Sequence, residues 1–122
     1  MKWVYDNPTY KDRDDCSIRS FAKLLDKPYT DVKRDLLQLK WLNRIPRYYY
    51  MDNIEIYIKQ HRLKLIKLTE VMNIEQFLTE HPVGHYLFRV KGHLATGIDG
   101  VLYDSWDSSK ERIYRVWMRN VG

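Results

Sequence analysis

The sequence predicts an α+β fold in which N-terminal helices are followed by a mainly antiparallel β-sheet. Between residues 14 and 60, apolar residues recur at the three- and four-residue spacing of amphipathic helices. After residue 85, short apolar runs alternate with turn residues, as antiparallel strands do. Helices and strands that are segregated along the chain favour the α+β class. With 122 residues the chain is long enough to bury one core, so we expect a single domain over residues 1–122.

Three helices are expected in the first half of the chain, after a polar, turn-rich leader over residues 1–13 that is draped over the domain. Each helix follows residues that cap helix N-termini, and the first must stop before Pro28, which disfavours helical geometry in the preceding residue. In chain order the capping candidates are Asp14-Asp15, Thr30 and Asp52-Asn53, and the helix ends are Asp26-Lys27, Asn43 and Gln60.

The second half is expected to form strands around one short helix. That helix covers Ile74 to Glu80, with Asn73 as its cap and Pro82 after its end. The expected strands are Leu63 to Leu68, Tyr86 to Val90, Leu94 to Ile98, Val101 to Ser105 and Ile113 to Met118.

The Asp99-Gly100 pair between two apolar runs is a strong signal for a β-hairpin. In a hairpin closed there, facing residues have numbers that sum to 199, so His93 faces Trp106. His93 and Asp104 then become diagonal neighbours on one face, with Cα atoms about 7–8 Å apart. Asp107 falls on the opposite face. Trp106 is expected either in the core or in the wall of a cleft.

Cys16 is the one cysteine, at the expected start of the first helix. Unpaired N–H groups and the positive end of the helix stabilise a thiolate there, although a lone cysteine on an apolar helix face can also be plain core. With His93 alongside, it would form a thiolate–imidazolium pair, the activated form of a cysteine nucleophile. Asp104 would orient the imidazole, and the N–H of Cys16 would bind the oxyanion.

No cofactor or metal is expected. His85 and His93 together with Cys16 could bind zinc in principle, but none of these residues has the close spacing of a metal-binding motif.

The segments Asp14–Ala22 and Lys27–Val32 resemble the nucleophile helix of compact papain-like cysteine peptidases, whose small members are often encoded by phages and bacteria. The dipeptides Gly92-His93 and Tyr103-Asp104 resemble the histidine- and acid-bearing strands of that superfamily. The resemblance implies a papain-like core and a Cys-His-Asp triad. It also implies thiol chemistry on a protein or peptide substrate: peptide hydrolysis, deamidation or acyl transfer.

One position departs from that superfamily, whose members place a neutral Gln or Asn shortly before the cysteine to bind the oxyanion. Asp14 lies two residues before Cys16, Tyr10 lies six before it, and the nearest upstream amide is Asn7. An ionised Asp14 would repel an oxyanion. It must therefore be protonated, face away, or leave the role to Asn7 or Tyr10; otherwise the site is impaired.

The charge distribution leaves a second function open. Residues 1–67 carry 15 Lys and Arg against 9 Asp and Glu, within a net charge of +5 for the whole chain. A catalytically silent papain-like domain could bind a protein or a nucleic acid through this basic helical half. Tyr48-Tyr49-Tyr50 could stack on nucleic acid or pack as a loop. A nucleic-acid partner is not favoured, because the chain has no Arg/Gly-rich tract or recognisable recognition helix.

No membrane partner is expected, because the apolar runs are far shorter than the roughly 20 residues of a membrane span. Cysteine usage and the polar N-terminal residues indicate a reducing, cytoplasmic location.

Overall fold

The computed structural model describes residues 1–7 and 14–121, and within them the chain forms four helices and one six-stranded sheet. This confirms the α+β class. The helices are α1 (Cys16–Leu25), α2 (Tyr29–Leu42), α3 (Met51–Gln60) and α4 (Ile74–Glu80). The strands are β1 (Lys2–Tyr5), β2 (Lys64–Ile66), β3 (His85–Val90), β4 (His93–Ile98), β5 (Val101–Asp104) and β6 (Arg115–Arg119).

The strand order is β1-β5-β4-β3-β6-β2, and every pairing except β1 with β5 is antiparallel. The expectation of an irregular leader was wrong for Lys2–Tyr5, which pairs in parallel with β5 and places Tyr5 beside Asp104. Its aromatic and β-branched residues suit a strand, and the outer edge of β5 offers unpaired backbone groups. Residues 8–13 of the expected leader lie outside the described residues.

The β4–β5 hairpin has the predicted register, with Thr96 paired to Tyr103 and Ile98 paired to Val101. Asp99 and Gly100 both have positive φ, 48° and 79°, as a type I′ turn requires. Because this turn fixes the register, the residues at the open ends of the two strands are brought together.

The helix boundaries follow the predicted signals closely, with two corrections. Helix α2 begins at Tyr29 directly after Pro28, so Thr30 lies inside it. Helix α3 begins at Met51, with Tyr50 at the N-cap position, so the expected caps Asp52 and Asn53 both lie inside it. The buried side chain of Asn53 donates instead to the carbonyls of Leu36 and Tyr48. It thereby ties α2 and the connecting loop to α3.

Two apolar clusters cover the two faces of the sheet. Helices α1, α2 and α3 pack on one face, against side chains that include Leu87 and Leu94. Helix α4 packs on the other face, against side chains that include Phe88 and Ala95. Consecutive strand residues belong to opposite clusters, as the alternation of side chains in a strand requires. None of the helices in the described residues combines the length and apolar character needed to cross a bilayer.

Candidate active site

Three element ends meet at one end of the sheet, and each carries a residue singled out in the sequence. Cys16 is the first residue of α1, His93 the first of β4, and Asp104 the last of β5. Helix α1 packs closely on β4, and the hairpin register brings the start of β4 next to the end of β5. Elements far apart in sequence therefore place a thiol, an imidazole and a carboxylate at one location.

His93 lies between the other two side chains. Its Nε2 is 2.7 Å from Oδ2 of Asp104, and the residue lines the same cleft as Cys16. With Nε2 engaged by Asp104, Nδ1 is the nitrogen left for the thiol. Burial alone lowers the pKa of His93, but the hydrogen bonds to Asp104 and Cys16 outweigh it and raise that pKa to about 9. The imidazole is therefore mostly protonated at neutral pH.

Asp104 is fully buried, and its carboxylate is surrounded by donors. Besides His93, Oδ2 accepts a hydrogen bond from the Ser108 hydroxyl at 2.6 Å. Oδ1 accepts from the backbone N–H of Ser105 at 2.7 Å and from Arg19 at 3.4 Å. A buried carboxylate is tolerated only when it is paired and hydrogen-bonded in this way. Asp107, by contrast, accepts from the N–H of Ser109 and takes no part in this group.

The sequence analysis did not identify Arg19, although its guanidinium links two carboxylates of the site, those of Asp15 and Asp104. Its guanidinium lies 3.0 Å from Asp15 and 3.4 Å from Asp104, and its side chain is only 6% exposed. Burial alone would lower the pKa of Arg19, but the hydrogen bond and charge of Asp15, with Asp104, raise it above its ordinary value. The i, i+4 spacing of Asp15 and Arg19, on either side of Cys16, is the signal that could have found this pair.

A pair of buried hydrogen bonds fixes α1 against β4 beside the site. The hydroxyl of Ser20 donates to the carbonyl of Leu94 at 2.9 Å, and that of Thr96 donates to the carbonyl of Ser20 at 2.7 Å. Ser20 lies one helical turn after Cys16, and Leu94 directly follows His93. These bonds therefore limit any sliding of the thiol relative to the imidazole.

A cleft of about 300 Å³ opens beside Cys16 and His93. Its wall is formed by the first residues of α1, the loop before α3 and the turn between β3 and β4. The lining residues are Asp14, Cys16, Ser17, Tyr49, Met51, Arg89, Gly92, His93 and Leu94. The hydroxyl of Tyr48 donates to the carbonyl of Asp14 at 2.7 Å, so the tyrosine run lies against the start of α1. Sequence reasoning did not place Tyr49, Met51 or Arg89 at the site.

The three candidates for binding an oxyanion have different outcomes. Asp14 is exposed, has a φ of 53°, and lies in the wall of the cleft. The side-chain amide of Asn7 donates to the Tyr5 hydroxyl at 3.3 Å. Tyr10 lies outside the described residues. The first N–H groups of α1 have no acceptor within the helix, so they are candidate donors at the start of the helix that carries Cys16.

Trp106 does not belong to the core, because 42% of its surface is exposed. Its ring lies against His93 with centroids 5.1 Å apart, and it is not among the residues that line the cleft. It therefore covers one side of the imidazole.

The zinc alternative has no geometric support among the described residues. His85 starts β3 and pairs with Ile98, at the far end of β4 from His93. Those two positions are five residue steps apart along β4, about 17 Å at the rise of a β-strand. Within residues 1–7 and 14–121, no group of three or more His, Cys, Asp or Glu side chains is arranged to hold a metal ion.

Comparisons with family models, curated proteins and solved structures gave no match to this chain.

Proposed function

We propose that the protein is a papain-like cysteine hydrolase that cleaves peptide or amide bonds with Cys16 as nucleophile. The observation that carries the proposal is the grouping of Cys16, His93 and the fully buried Asp104 at one end of the sheet, with Cys16 and His93 lining one cleft and His93 bonded to Asp104. A nucleophile hydrogen-bonded to a base that a third group orients is the arrangement that activates a thiol. Its position beside a cleft gives a substrate access to the thiol.

In the proposed reaction, the Cys16 thiolate attacks the substrate carbonyl carbon, and a C–S bond forms as the carbonyl oxygen becomes an oxyanion. When the oxyanion collapses, the C–N bond breaks and the His93 imidazolium gives its proton to the leaving nitrogen. Water then attacks the thioester while His93 takes a proton from it. The C–S bond breaks, and the acid and the thiolate are released. Ammonia as leaving group makes the reaction a deamidation, and an amine in place of water makes it an acyl transfer.

Backbone N–H groups at the start of α1 are proposed to bind the oxyanion. These N–H groups have no acceptor within the helix, and the positive end of the helix favours a developing negative charge. This removes the need for a side-chain amide before the cysteine. Asp14 is exposed, so solvent and salt screen its charge more than that of a buried carboxylate.

The alternative function is binding of an acidic partner through the basic helical half. The charges on and next to α2 argue against it. Arg34 lies within 4 Å of both Asp31 and Asp35, and Lys27 lies 2.6 Å from Asp35. Acidic residues therefore interrupt this surface. The thiol chemistry also requires reduced Cys16, which fits the expected cytoplasmic location.

The test is the alkylation rate of Cys16 by iodoacetamide at about pH 6, where an unperturbed thiol is mostly protonated. We expect the folded protein to react at least about tenfold faster than a free thiol, and His93→Gln to remove that advantage. His81→Gln is the matched control, because His81 stacks on Phe77 in α4 and does not touch the site. Peptide turnover should be lost in Cys16→Ala with the fold intact.

Equal alkylation rates for the protein and the free thiol would refute the proposal. A Cys16→Ala protein that keeps its full biological effect, while charge reversal at Lys33 and Arg34 abolishes it, would favour the binding function instead.

A further inference from the structure

We propose that Arg89 makes the cleft select substrates with an acidic side chain on the residue whose carbonyl Cys16 attacks. The inference rests on the proposed hydrolase function and adds its substrate class. An acidic side chain here means that of Asp or Glu.

Arg89 is directed into the cleft from the central part of the sheet. It lies in β3 opposite Leu94, and the next pair in the register is Val90 with His93. Because side chains alternate, Arg89 shares with Leu94 the face on which α1 packs, the face that carries Cys16. Arg89, Cys16 and His93 all line the same cleft of about 300 Å³.

Arg89 is half-buried and, within the described part of the chain, makes no ion pair and no side-chain hydrogen bond. Neighbouring arginines of the sheet are engaged: Arg115 lies 3.5 Å from Glu55, and Arg119 donates to the carbonyl of Leu24 at 2.8 Å. A half-buried guanidinium with free donors is suited to a planar, two-pronged contact with a carboxylate.

Ser17 provides a second, independent indication of a polar ligand. It is 1% exposed, it lines the cleft, and its hydroxyl has no hydrogen-bond partner among the described residues. A buried hydroxyl without a partner costs stability, which a ligand acceptor would recover. Ser17 is also the second residue of α1, where the helix end favours negative charge.

Asp14 places a negative charge in the cleft wall, opposite in sign to that of Arg89, and it allows a second prediction. It is exposed, whereas Arg89 is half-buried, so solvent screens Asp14 more strongly. The apolar wall of Tyr49, Met51 and Leu94 can hold the methylene groups of the acidic side chain while Arg89 binds its carboxylate. Removing the charge of Arg89 should therefore weaken the preference of the cleft for acidic substrates, and removing the charge of Asp14 should strengthen that preference.

The experiment compares three peptidyl chloromethyl ketones that differ only in carrying Glu, Gln or Lys next to the reactive carbon. The rate constant for alkylation of Cys16 in the full chain is measured by mass spectrometry. We expect the Glu probe to react about 10- to 100-fold faster than the Gln probe, the range for a charged hydrogen bond, and the Lys probe to react slowest.

Variants test the assignment to Arg89. Arg89→Gln should abolish the preference for Glu over Gln, while Asp14→Asn should increase the preference. Arg112→Gln is the matched control. It removes the same charge from an exposed residue, stacked near Tyr114, that does not line the cleft.

Equal rates of the Glu and Gln probes with the unmodified protein would overturn the inference while the hydrolase proposal stands, and that comparison needs no variant to fold. An Arg89→Gln protein that keeps the full preference would also overturn it. If the folded protein reacts with none of the probes at Cys16, the hydrolase proposal fails and this inference fails with it.

Discussion

The pKa of His93 should fall when Asp104 loses its charge, and Asp104→Asn is the variant that tests this dependence. In the native protein the carboxylate lies 2.7 Å from Nε2 of the imidazole and is fully buried. Asparagine keeps the shape of the side chain and an oxygen acceptor for Ser108, but it removes the negative charge. The burial that lowers the pKa of His93 remains.

The magnitude follows from the raised pKa of about 9, against 6.5 for an ordinary histidine. At 1.36 kcal/mol per pKa unit, this difference corresponds to about 3 kcal/mol of preference for the protonated imidazole. At about pH 7.5, a histidine of pKa 9 is about 97% protonated, and one of pKa 6.5 is about 9% protonated. We therefore expect Asp104→Asn to lower the pKa of His93 toward 6.5, which would reduce the imidazolium at pH 7.5 by about tenfold.

The assay is an NMR titration of the His93 ring, with the resonance assigned by its absence from His93→Gln. Asp107→Asn is the matched control, because Asp107 lies three residues further on and accepts only from the N–H of Ser109 within the described residues. In the Asp107→Asn variant, His93 should titrate as in the unmodified protein. The reasoning is refuted if Asp104→Asn leaves the pKa near 9, or if Asp107→Asn lowers it by as much.

Three further predictions concern His93, Ser20 and Asn73. The raised pKa of His93 stabilises the fold fully below pH 6.5, and this contribution is lost as the pH rises through about 9. Urea unfolding should therefore show a lower free energy of unfolding at high pH, and His93→Gln should flatten this pH dependence. Ser20→Ala should cost about 1–2 kcal/mol in urea unfolding, because the carbonyl of Leu94 loses its donor, and it should slow iodoacetamide alkylation of Cys16, which a purely structural role would leave unchanged. Asn73→Ala should cost about 1 kcal/mol in thermal unfolding through loss of the capping box of α4, with alkylation of Cys16 unchanged.

The local signals in the sequence were sufficient for most of the elements. The Asp99-Gly100 turn fixed the hairpin register, and Asn73 with Pro82 fixed both ends of α4. Signals of this kind act over a few residues, so they can be read directly. The diagonal contact between His93 and Asp104 followed from the same register, since a strand pairing dictates which side chains share a face.

Contacts between distant segments could not be read in this way. Strand β1 was taken for a leader because its partner, β5, begins about 100 residues later, and four residues carry too weak a pattern. Arg89 reads as an ordinary strand residue, and only the packing of α1 and the loop before α3 makes its position the wall of a cleft. Asn53 was misassigned because a cap and a buried linker use the same amide.

The concentration of buried charge around Cys16 favours a chemical role over a structural one. Arg19 and Asp15 are each only 6% exposed and Asp104 is fully buried, next to a histidine whose side chain is 11% exposed. Taking such groups out of water costs several kcal/mol each, and apolar residues of similar size often stabilise a core as well or better. Fold stability alone therefore gives little reason to bury a carboxylate against an imidazole at the first turn of the helix that carries the thiol. The proposed reaction supplies a reason, because the negative charge of Asp104 stabilises the protonated imidazole of His93, which the reaction uses as its acid.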